Sequence, residues 1–108
     1  DLFKALAPAC LLRVDSFTGP QLAQTAWGYA RAGHKSQPLF DAIASTATDR
    51  LNQFNSHTIT LIARAFARAG YRSPCLFDGI AAEVAPRAAH LDAACLAGTA
   101  WAFAKAGH

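Results

Sequence analysis

Three cations recur at one interval. Arg31, Arg68 and Lys105 stand 37 residues apart, and each follows by four positions a planar side chain: Trp27, Arg64 or Trp101. On a helix four positions is one turn, so each cation would stand beside its planar neighbour. Such pairs suit a polyanion that carries flat groups, with phosphates meeting Arg or Lys and rings stacking on indole or guanidinium planes. A plainer reading stands beside this one. A cation in the last turn of a helix is favoured by the helix dipole alone, by roughly 0.3–1 kcal/mol, and the tryptophans can fill seams between packed helices.

Other columns carry chemistry of the same kind. Arg13, Arg50 and Arg87 form a second basic column at the same spacing. Gln21/Thr58/Cys95 and Gln24/Leu61/Gly98 differ in type while their surroundings repeat. Gln21, Gln24 and Thr58, with Trp27 and Trp101, are therefore candidates to touch bases, and Arg31, Arg64, Arg68 and Lys105 to touch phosphates. Little points to catalysis. His34 and His108 share a column two intervals apart, while His57 and His90 stand singly. No acid pair, nucleophile–base arrangement or glycine-rich phosphate loop appears. Cys10, Cys75 and Cys95 form no CxxC pair and have no metal-ligand spacing with histidine. The expectation is a protein that is not an enzyme, with no metal, no cofactor and no small-molecule substrate.

The elements that would position these residues follow from the interval itself. Shifted by 37, the chain aligns three copies, 1–34, 35–71 and 72–108. Leu-Phe recurs at positions 2, 39 and 76, and Leu6, Ile43 and Ile80 share a column. Phe17, Phe54 and Leu91 share another, and Gly33, Gly70 and Gly107 close each copy. Copies two and three agree at 13 of 37 positions without a gap. A period of this size is the mark of a stacked helical array.

Each copy reads as two helices. The second begins after Thr18, Asn55 or Asp92, three residues whose common property is a side-chain oxygen able to accept from a helix's first free N–H groups. It ends at the glycine column, where a left-handed residue would stop it. On a helical wheel Leu22, Ala26, Tyr29 and Gly33 face the first helices, and Gln24, Trp27 and Arg31 lie opposite. The first helix begins near Ser36 and Ser73 and runs to about Gln53 and His90. Pro8 and Pro86 fall inside first helices and are expected to kink or shorten them. No strand pattern appears. The fold expected is all-α, a solenoid of three helix-turn-helix repeats, six helices in all.

Composition agrees. The chain of 108 residues is 53% hydrophobic and 16% charged, enough for a packed core and unlike a disordered chain. Alanine supplies 26 residues, which favours helix and close helix contact. The net charge of +3 permits a polyanionic partner. No apolar run approaches the roughly 20 residues that span a bilayer, so no membrane partner is expected. The chain holds no methionine, which suggests a piece of a longer protein, with any targeting peptide outside it.

The stretch FTGPQLAQTAWGYARAG, Phe17 to Gly33, resembles the second-helix signature of octotricopeptide-type repeats. The gapless 37-residue period is more similar still to the heptatricopeptide variant. Copy two departs from the signature at His57 and Arg64, and copy three at Ala94 and Cys95. Such repeats occur in organellar proteins of algae and related protists, often with a RAP domain. The resemblance implies a single-stranded RNA binder of a mitochondrion or plastid, acting in transcript maturation, stability, translation or ribosome assembly. Its partners would include other subunits of an organellar ribonucleoprotein. The alternative is a protein-interaction scaffold, or a structural subunit of a large organellar complex.

Overall fold

The computed structural model describes residues 1–34 and 36–108. Lys35, which opens the second 37-residue copy, lies outside the described residues. All regular structure among the described residues is helical. Six α-helices follow one another: α1 Leu2–Arg13, α2 Gly19–Ala32, α3 Gln37–Arg50, α4 Ser56–Ala69, α5 Pro74–Val84 and α6 Ala93–Ala106. A 3-10 turn follows each odd-numbered helix, at Val14–Ser16, Leu51–Gln53 and Ala85–His90.

The second helices start where side-chain oxygens allow. Thr18 Oγ1 accepts from the Gln21 N–H, Asn55 Oδ1 from Thr58 and Asp92 Oδ1 from Cys95. At α2 the Gln21 side chain returns the bond to the Thr18 N–H, which closes a capping box. The helices stop where glycine allows. Gly33, Gly70 and Gly107 adopt φ of 69°, 71° and 70°, a region costly for any residue with a Cβ. Each glycine N–H, and the N–H after it, bonds back into the last turn as in a Schellman motif.

First helices are less regular than the sequence suggests. Neither Ser36 nor Ser73 makes a side-chain cap bond. α1 is not shortened by Pro8 and runs through it from Leu2 to Arg13. α5 ends at Val84, two residues before Pro86, and the chain continues as a 3-10 turn to His90. Proline at i clashes with the carbonyl of i−4, so the α-helix gives way to the tighter turn there.

Packing places the odd helices in one row and the even helices in another. α4 lies between α2 and α6, and α3 between α1 and α5. Three aromatic clusters join the rows at the 37-residue interval: Phe3/Tyr29/His34, Phe40/Phe66/Tyr71 and Phe77/Phe103/His108. Within each, ring centroids lie between 5.1 and 6.0 Å apart, the range of favourable aromatic contact. The middle hairpin holds most of the largest fully buried side chains: Leu39, Phe40, Ile43, Ile59, Ile62 and Phe66. Among the described residues no helix is long and apolar enough to cross a membrane.

Candidate nucleic-acid interface

The three capped helices carry their cations at corresponding places. Arg31, Arg68 and Lys105 each stand in the last turn of α2, α4 and α6, and all three are exposed. Among the described residues no ion pair engages them or the exposed Arg64. On the opposite side of α2, Leu22, Ala26 and Tyr29 are buried as the wheel places them. The basic residues thus remain without ion pairs along the edge of the even row where its helices end.

Trp27 does not stand free as a stacking platform. The Arg64 guanidinium lies 5.1 Å and that of Arg68 5.6 Å from its ring centroid. These are cation–π distances, and the half-buried indole fills the seam between α2 and α4. Any planar group approaching here meets guanidinium as well as indole. Trp101, at 45% exposure, is the more open of the two tryptophans. A cleft of about 190 Å³ lies near the end of α6, lined by Tyr71, Arg72, Phe77, Lys105 and His108 among others. Sequence reasoning passed over Arg72, although Lys35 stands one interval before it and makes the column basic.

One base-contact assignment changes. Thr58 is 7% exposed and cannot reach a strand on the outer surface. Its methyl packs toward Gly19, where an added Cβ would lie 3.2 Å away. Cys95 in the same column is buried too, whereas Gln21 is exposed and engaged in the α2 cap. The Gln24/Leu61/Gly98 column behaves alike: Gln24 is exposed, Leu61 half-buried and Gly98 buried. These columns vary because in the second and third hairpins they face the preceding hairpin, not solvent. A helix flanked on both sides keeps only a narrow outer strip.

The second basic column is largely structural. Arg50 donates to the carbonyls of Phe17 and Asp15, and Arg87 to that of Phe54 at 2.8 Å and to Glu83. Each guanidinium thus ties its own hairpin to the hairpin before it, which leaves little of it for phosphate. Arg13, in the first hairpin, is exposed.

One cluster escaped sequence reasoning. His57 Nδ1 lies 3.5 Å from Cys95 Sγ, and its Nε2 lies 3.3 Å from Asp92 Oδ2. The residues are 35 and 38 positions apart, close to one interval, so neighbouring hairpins place them side by side. That near-interval separation is the signal that finds them. The backbone N–H of Cys95, bonded to the Asp92 carboxylate, holds that carboxyl below its usual pKa. Burial pushes the Cys95 thiol up.

Comparison of the chain with protein-family models, with curated proteins and with solved structures returns no match.

Proposed function

We propose that this chain is a three-repeat helical solenoid that binds single-stranded RNA through the basic ends of α2, α4 and α6. The observation that carries the reading is the recurrence of exposed cations at Arg31, Arg68 and Lys105, reinforced by Arg64, with no acidic partner among the described residues. Phosphates would meet these four cations, and bases would stack on the Arg64/Arg68/Trp27 cluster and on Trp101. The solenoid reading rests on the 37-residue recurrence of caps, glycines, aromatic clusters and guanidinium ties. The resemblance to heptatricopeptide and octotricopeptide repeats supports the same function, in a mitochondrion or plastid and within a ribonucleoprotein.

The test is fluorescence anisotropy with single- and double-stranded RNA over a salt series. Neutralising four phosphates should give a log–log salt slope of about −3 on single strands. Changing Arg31, Arg68 and Lys105 together to Gln should flatten that slope and leave the circular dichroism unchanged. Unchanged binding by the triple variant would make these cations capping residues and end the assignment.

A second reading, a protein-interaction scaffold, has its own observation. Val84, Ala88, Leu91, Leu96 and Phe103 line an apolar groove on the outer side of the third hairpin. Binding of no RNA at low salt by the folded chain would favour that reading.

A further inference from the structure

We propose that His57, Asp92 and Cys95 form a binding site for a zinc-class divalent cation that clips α4 to α6. Taking one donor atom from each residue, the three lie within 4.8 Å of one another. A tetrahedral zinc ion with ordinary bond lengths needs a sulfur–nitrogen edge of about 3.6 Å and a nitrogen–oxygen edge of about 3.4 Å. The thiol and carboxylate stand 3.5 and 3.3 Å from the imidazole, on its two nitrogens. One nitrogen must serve both edges, which requires the His57 ring to turn; its side chain is 73% exposed. The donor set is one thiolate, one imidazole and one carboxylate, which suits zinc or cobalt and leaves a fourth position for water.

The fold does not demand these residues. At the equivalent seam between α2 and α4 the same columns hold Pro20, Asn55 and Thr58, which offer no comparable set. Capping is served there by Thr18 and Asn55, so a carboxylate at Asp92 is more than the cap requires. Cys95 is only 3% exposed and its Sγ points at the imidazole from inside the seam. A buried thiol whose pKa is raised makes a poor free nucleophile. A metal ion changes that, because it deprotonates a coordinating thiol outright. The positive ends of α4 and α6 oppose a cation, and the carboxylate and thiolate supply two negative charges against them.

Binding replaces one proton: the Cys95 S–H bond breaks, an S–metal bond forms and H⁺ leaves to solvent. Affinity should therefore fall by at least about tenfold for each unit of pH below neutrality, because the imidazole must be neutral as well as the thiol deprotonated. The site sits at the starts of α4 and α6, whereas Arg68 and Lys105 sit at their ends. The Arg31/Arg68/Lys105→Gln variant should bind metal as the parent does, so this proposal and the RNA reading fail separately.

The experiment is a cobalt(II) titration of the whole, reduced chain, followed by displacement with zinc. The expected result is a thiolate-to-cobalt charge-transfer band saturating at one ion per chain, and a thermal midpoint that rises with zinc. Cys10→Ser with Cys75→Ser should keep the band. Cys95→Ser should abolish it, and His57→Ala should weaken binding by at least about tenfold, the lower bound for losing even an outer partner of a metal ligand. His57 is exposed, so its loss tests the site without touching the core. Absence of the band, its survival in Cys95→Ser, or full affinity in His57→Ala would each overturn the proposal.

Discussion

Thr18, Asn55 and Asp92 do the same work with three different oxygens, and pH tells them apart. Asn55 has no titrating group, so Asn55→Ala should cost about 1 kcal/mol by the same amount from acid to neutral pH, as read from urea midpoints. The Asp92 carboxyl is held below its ordinary pKa, first by the Cys95 backbone N–H. A depressed folded pKa gives stability that is complete above the unfolded value and is lost as pH falls through the folded one. The stability lead of the parent over Asp92→Asn should therefore shrink as the solution is acidified past the ordinary carboxylate range. A lead that is flat with pH would place the charge of Asp92 outside the stability of α6. The oxygens themselves were legible in the sequence, since a column of Thr, Asn and Asp before an apolar period has little else to be. The His57–Asp92–Cys95 cluster left only a near-interval separation as its signal, because its assembly depends on which hairpin faces toward which.

At the scale of the element, glycine shows how closely the even helices approach. Gly28 lies within α2 with nothing within 4 Å of where a Cβ would be. Gly28→Ala should stabilise by about 0.5–1 kcal/mol through helix propensity alone. Gly98 in α6 differs, for its Cβ would lie 2.8 Å from Thr60 Cγ2 and 3.2 Å from Arg64 Cδ. Overpacking of this kind costs about 1–3 kcal/mol, enough to reverse the propensity gain. Gly98→Ala should destabilise, and Thr60→Ser, which removes the methyl and keeps the hydroxyl that meets Thr99 at 3.3 Å, should recover most of the loss. A double-mutant cycle on urea midpoints measures that coupling. Equal effects of alanine at the two glycines would mean that α4 and α6 do not approach as described. The sequence carried the second helices almost whole, through caps and glycines within one segment. It carried the first helices less well: Pro8 sits inside α1 without ending it, while Pro86 turns the end of α5 into a 3-10 turn. One rule about proline covers both cases, and the surrounding packing decides between its outcomes.

At the scale of the whole molecule, the two ends differ from everything between them. Leu39 and Leu76 are fully buried against the preceding hairpin, whereas Leu2 in the same column is 66% exposed. Ile43 and Ile80 are buried where Leu6 is exposed. At the other end Leu22 and Ile59 are buried, but Leu96 is exposed, and Ala100 is exposed where Ala26 and Ala63 are buried. Each internal seam joins one of these faces to the other, so the first hairpin presents one half of a seam and the third presents its complement. They stand at opposite ends of a body 42 Å long and cannot meet within one chain. Contact between copies would be head-to-tail, a heterologous arrangement that need not close. Gly98 stands toward Thr60 across the internal seam, and by the 37-residue interval the corresponding pair between copies would be Gln24 with Ala97. Arg13 would then meet the Leu91 carbonyl as Arg50 meets Phe17 and Arg87 meets Phe54. The expected outcome in sedimentation velocity is a mass that climbs with concentration past that of a dimer. Leu6→Glu, on one face, or Ala100→Glu, on the other, should each return the chain to a monomer, and a mixture of the two variants should stop at the dimer, since each retains one intact face. A monomer at every concentration would mean that burial of these faces in the internal seams depends on the covalent linkage that brings successive hairpins together.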